Sequence, residues 1–112
     1  MSSSGPTGQV DPQLEVTVTD IASNLADVSQ LIDVRELEEW RESRIPGATL
    51  IPMSELAERV VEIDHAQPLV VYCRSGGRSL MVAEALQNAG YDAKSMAGGI
   101  LEWERAGHAI ER

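Results

Sequence analysis

A chain of 112 residues with 43% hydrophobic content is long enough for one compact domain with its own core and too short for two ordinary ones. Nine Lys and Arg against eighteen Asp and Glu give a formal net charge of −9, which cannot supply the clustered positive face of a nucleic-acid binder and argues against such a partner. The single cysteine excludes an intramolecular disulfide and fits a reducing compartment, and no apolar run approaches the roughly 18 residues of a membrane span, so a cytoplasmic protein with no membrane partner is expected.

Residues 1–12, MSSSGPTGQVDP, have neither a basic start nor an apolar stretch, so they do not read as a signal peptide. With little to bury they are expected to be a flexible N-terminal tail, leaving residues 13–112 as the domain. LEVTV at Leu14 to Val18 predicts the first strand, with Thr19 or Asp20 capping a helix that enters IASNLA. LIDV, Leu31 to Val34, predicts the second strand. The acidic run from Glu36 to Glu42 reads as a solvated helix face, because Leu37 and Trp40 supply only a narrow apolar stripe.

ATLI, Ala48 to Ile51, predicts the third strand, and Ser54 is placed to cap a helix over ELAERVVEI. LVVYC, Leu69 to Cys73, predicts the fourth strand, followed by a helix over RSLMVAEALQNAG that stops at Gly90, and AKSM, Ala93 to Met96, predicts the fifth. This alternation implies an α/β fold: a central, mostly parallel five-stranded sheet flanked by helices on both faces. In open sheets of that kind ligands bind beyond the carboxyl ends of the strands, which is where the fourth strand delivers Cys73.

The chemistry concentrates in CRSGGRS, Cys73 to Ser79. Gly76 and Gly77 can take backbone conformations that aim successive N–H groups at one point, the helix start adds unpaired N–H groups and its positive dipole end, and Arg74 and Arg78 add full charge. All three favour thiolate over thiol, and the thiolate is the nucleophile, so a lowered Cys73 pKa is expected without a histidine base. Neither GxxxxGK[ST] nor GxGxxG occurs, which argues against a nucleotide. His65 and His108 have no metal-ligand spacing with Cys73 and read as surface or turn residues, so neither metal nor other cofactor is expected.

Three blocks of the sequence resemble the rhodanese family: IDVRELEEWRESRIPGA from Ile32 to Ala48, VVYCRSGGRS around Cys73, and MAGGILEWERAGHAI from Met96 to Ile110. The resemblance implies a rhodanese-like fold and a sulfurtransferase cycle in which Cys73 takes the outer sulfur of a small anionic donor such as thiosulfate, forms a persulfide, and passes the sulfur to cyanide, a thiol or a protein. It also implies that Arg74 and Arg78 orient the donor's sulfonate, and that the backbone amides of Ser75, Gly76, Gly77, Arg78 and Ser79 stabilise the charged persulfide. Asp33 and Arg35 match positions that flank the family's pocket and would support it. Trp40 and Trp103 match its aromatic positions and read as core packing, while Gly98 and Gly99 would let the chain turn closely into the last helix.

Ser43 and Arg44 stand where a Gly-His pair commonly precedes IPGA, and Leu37 replaces a frequent Pro; these departures bear on substrate preference. Two other functions stay open at this level. Cysteine phosphatases and arsenate reductases on related folds use loops that resemble C-x5-R, whereas Cys73 and Arg78 are separated by four residues, a ring better suited to one extra sulfur atom. A non-catalytic regulatory module of the same family could sense oxidation through a low-pKa thiol.

Overall fold

The computed structural model describes residues 14–112, so the expected tail and Gln13 lie outside the described residues. Strands β1 (Glu15–Val16), β2 (Leu31–Asp33), β3 (Thr49–Leu50), β4 (Leu69–Tyr72) and β5 (Ala93–Met96) form one sheet in the order β1-β5-β4-β2-β3, with every pairing parallel. The helices are α1 (Val18–Ser23), α2 (Leu37–Glu42), α3 (Leu56–Arg59), α4 (Gly77–Asn88) and α5 (Gly99–Arg105).

Side-chain alternation along the strands divides the core in two. Leu69, Val71 and Cys73 face a cluster with Val82, Ala83 and Leu86 of α4, whereas Val70 and Tyr72 face Val18 and Ile21 of α1 and Ile100 and Trp103 of α5. Burial on both faces is why β4 appears in the sequence as an unbroken apolar run. Strand order runs outward from β2 to β3 in one direction and from β4 to β5 in the other, so the β2–β4 pair is the point of reversal. Cys73 and the start of α2 both emerge there.

Several boundaries differ from expectation. Thr17, rather than Thr19 or Asp20, caps α1: its hydroxyl accepts from the Asp20 amide at 3.0 Å, and the Asp20 carboxylate accepts from the Thr17 amide at 3.4 Å. This reciprocal capping box draws Val18 out of the strand and into the helix. Ser54 caps nothing, because its hydroxyl donates to the Glu36 carboxylate at 3.0 and 3.1 Å. The expected helix after it becomes a 3-10 turn at Met53–Glu55, the four-residue α3, and a second 3-10 turn at Val60–Glu62.

The two tryptophans part company. Trp103 is 1% exposed in the core, with its indole N–H donating to the Ala109 carbonyl at 2.7 Å. Trp40 is only half-buried, with the Arg44 guanidinium 5.3 Å over its ring, so it belongs to the rim and not to the core. Arg44 also pairs with Glu111 through two backbone hydrogen bonds of 2.9 and 2.8 Å, which fastens the end of the chain beside α2.

Candidate active site

The loop after β4 turns sharply at Gly76, whose φ of +109° is a conformation that side chains resist. A Cβ there would also lie 3.2 Å from the Gly98 nitrogen, a tight approach that adds to the preference for glycine set by the turn. Gly77 differs from the expectation: it is the first residue of α4, has no positive φ, and faces open space. One glycine of the pair therefore makes the turn.

That turn brings the Gly76 amide to 3.1 Å and the Ser79 amide to 3.3 Å from the Cys73 sulfur. Ser79 is fully buried, and its hydroxyl lies 2.8 Å from the hydroxyl of Ser95 on β5 and 3.3 Å from the Gly76 carbonyl. Cys73 is itself 1% exposed. Burial pushes its thiol up, but the Ser79 hydroxyl and the amides of Ser79, Gly76 and Ser75 more than offset this, and the net shift is below an ordinary thiol. Hydrogen bonds lead this effect, ahead of the arginine charge that the sequence emphasises. Ser95 was not legible as a participant, since nothing local marks AKSM as more than a strand.

A second helix start grips the loop from behind. Gly99, at φ +61°, lets α5 come so close that the Ile100 amide donates to the Cys73 carbonyl at 2.9 Å and the Leu101 amide to the Arg74 carbonyl at 3.1 Å. A Cβ on Gly99 would fall 2.4 Å from the Arg74 oxygen. The expected close turn at Gly98 and Gly99 is thus a backbone contact with the cysteine loop.

The two loop arginines are not equivalent. Arg74 is exposed and has no carboxylate partner among the described residues. Arg78 is held in a two-pronged pair by Glu39, with both N–O distances 2.9 Å. Glu39 comes from the acidic run read as a solvated face, and that reading is corrected here: its carboxylate also accepts from the Glu36 amide at 3.0 Å, closing the first turn of α2. No short-range rule links positions 39 and 78.

The hydrogen bonds from Arg78, assisted by the Glu36 amide, hold the Glu39 carboxyl down at about 2 in spite of partial burial. The folded pKa is lower than the unfolded one, so the stabilisation is complete above the ordinary carboxylate range and is lost as pH falls toward 2. Glu39→Gln is therefore expected to flatten the acid limb of the stability curve between about pH 4.5 and 2, measured by urea midpoints across that range.

Asp33 and Arg35 are buried and bind each other. The Arg35 side chain donates to the Asp33 carboxylate at 2.6 to 3.0 Å and reaches across to the Ser43 carbonyl at 2.7 Å and the Glu39 carbonyl at 3.4 Å. No hydrogen bond joins either to the cysteine loop among the described residues. They fix α2, and α2 carries the carboxylate that fixes Arg78. Their link to the cysteine loop is indirect, through a helix. A cavity of about 340 Å³ lined by Thr17, Val18, Gly98 and Glu102 does not include Cys73, and its one charged lining residue, Glu102, is paired with Arg105.

Comparison with known proteins agrees with this geometry. The family model described as a rhodanese-like domain matches residues 17–106. A sulfurtransferase of Allochromatium vinosum is 34% identical over 99 residues, covering 86% of this chain and 92% of its own. An HTH-type transcriptional regulator of Mycobacterium tuberculosis is 39% identical over 84 residues, covering 72% of this chain but only 37% of the regulator. The crystal structure of a rhodanese-related protein from Thermoplasma volcanium superposes with a TM-score of 0.83 at 28% identity, covering 87% of this chain and 96% of that one. A parallel five-stranded α/β sheet, a cysteine loop at its carboxyl edge and a family match across most of the domain place this chain in the rhodanese family.

Proposed function

We propose that the protein is a sulfurtransferase that carries sulfane sulfur on Cys73, from thiosulfate or a similar donor to a thiol, a protein or cyanide. The observation that carries this is the pair of amide hydrogen bonds from Gly76 and Ser79 onto the Cys73 sulfur, at 3.1 and 3.3 Å, with the thiol pKa lowered. The thiolate attacks the donor's outer sulfur; a new S–S bond forms as the donor's S–S bond breaks, and the leaving group departs with the bonding pair. When that group is sulfite, a stable anion, no general acid is required. The amides of Ser75, Gly77 and Arg78 in the same turn then receive the charge on the terminal sulfur. Arg74 is the loop cation best placed for an incoming anion, since Arg78 already has a carboxylate partner.

Sulfurtransferases among the relatives support a donor and an acceptor for this chain too. Leu37, Met53, Met81 and Leu101 are all exposed on segments that begin at the carboxyl edge of the sheet, which suits an acceptor larger than cyanide.

Intact mass after incubation with thiosulfate tests the proposal. The protein should gain one sulfur atom, lose it on adding cyanide or a reductant, and gain none as Cys73→Ser. Absence of the gain, together with Cys73-dependent hydrolysis of an aryl phosphate, would favour the phosphatase alternative instead. The similarity to part of a transcriptional regulator supports a second use, in which oxidation of the same thiol signals and turnover is negligible.

A further inference from the structure

We infer that Glu39 is a specificity residue that turns this site away from inorganic dianions such as thiosulfate and toward thiol persulfides, R–S–SH, as sulfur donors. The inference rests on the persulfide proposal above and narrows its donor. Its basis is the charge arrangement around the cysteine loop. A thiosulfate or sulfate dianion brings two negative charges, and binding it calls for guanidinium groups with free forks. Arg78 presents its fork to the Glu39 carboxylate at 2.9 Å on both sides, and Arg35 presents its own to Asp33. Among the described residues this leaves Arg74 as the one loop arginine without a carboxylate partner, on a chain whose net charge is −9. Glu39 stays ionised throughout the neutral range, so no protonation frees Arg78.

A thiol persulfide carries no sulfonate and does not need the second arginine. The Cys73 thiolate attacks its outer sulfur, the Cys73 S–S bond forms, the R–S bond breaks, and R–S⁻ leaves with the electron pair. The proton on the outer sulfur stays with it, giving Cys73–S–SH, so atoms and charge balance without any oxidant. The Gly76 and Ser79 amides serve this attack as well as the other, because they act on Cys73 and not on the donor.

Single-turnover loading of Cys73, read by intact mass, tests the inference with thiosulfate and with the persulfide of 2-mercaptoethanol, which bears no charge beyond its sulfur. Glu39→Gln should raise kcat/KM for thiosulfate roughly tenfold, mainly through KM, the scale of one removed like-charge contact at a half-exposed site, and leave the 2-mercaptoethanol persulfide within about twofold. Glu39→Ala, which releases both prongs of Arg78, should act in the same direction. Inert sulfate checks the unmutated protein: it should compete with the 2-mercaptoethanol persulfide only above about 10 mM, the weak affinity of a single exposed pairing. Unchanged or slower thiosulfate loading in folded variants, or sulfate competition well below 1 mM, roughly, in the unmutated protein, overturns the inference while leaving a sulfur-carrying Cys73 intact. No sulfur gain from either donor overturns both.

Discussion

Gly99→Ala is expected to destabilise the domain by about 3 kcal/mol or more and to abolish sulfur loading with it. Two costs coincide. Alanine at φ +61° takes a left-handed conformation worth roughly 1–2 kcal/mol of strain, and its Cβ would sit 2.4 Å from the Arg74 oxygen and 2.5 Å from the Cys73 oxygen, an overlap with backbone that no rotamer change relieves. Relief requires α5 to withdraw, which breaks the Ile100 and Leu101 hydrogen bonds to those carbonyls and loosens the loop behind the thiol. For a domain of this size each kcal/mol lowers the melting temperature by about 4–8 °C, so a fall of at least about 12 °C is expected by calorimetry. A variant that melts within about 2 °C of the parent would show that α5 does not brace the loop.

Removing one member of the Asp33–Arg35 pair should cost about 3–5 kcal/mol, because Asp33 is 0% exposed and Arg35 3%, and the survivor would be a buried charge without its partner. Asp33→Asn and Arg35→Ala should both lose much of their denaturant midpoint. Arg35→Lys should rescue little, since an ammonium cannot span the Asp33 carboxylate, the Ser43 carbonyl and the Glu39 carbonyl together. Replacing both by apolar residues of similar volume should cost less than either single change. A double variant no more stable than Asp33→Asn would mean that the pair's connections to α2, and not its internal charge balance, dominate.

The central strands β2 and β4 were legible because a parallel strand buried on both faces leaves an apolar run, and the shorter aliphatic stretches at the sheet's other positions became strands as well. The cysteine loop was legible for a similar reason: Cys73, Gly76 and Ser79 act within seven consecutive residues, so their order in the chain is nearly their order in space. What escaped notice depends on partners far apart in sequence. Glu39 looks like any other member of an acidic helix until β2 and β4 pair and bring Arg78 to it. Ser54 looks like a helix cap until the pairing of β2 with β3 brings Glu36 to its hydroxyl. Ser95 reads as a strand residue, and only the packing of α4 on β5 turns it toward Ser79. The cap of α1 falls at Thr17 and not at Thr19 or Asp20 because a run of Thr and Asp offers several chemically acceptable starts and only tertiary packing selects one.

The helix that follows the cysteine has no side-chain cap: Gly76 occupies the capping position, and the hydrogen bonds that a serine or aspartate oxygen would receive elsewhere are received by the sulfur of Cys73. The Cys73 sulfur is therefore a fastener of the fold. Since its folded pKa is depressed, ionised sulfur adds stability that is fully present above the unfolded thiol value and fades as pH falls through the folded one. Any chemistry at this sulfur would be felt by α4 as a change of its own end group, so under the proposed sulfur transfer each turnover would briefly re-cap a helix, and a reagent that alkylates the thiol would remove a structural bond.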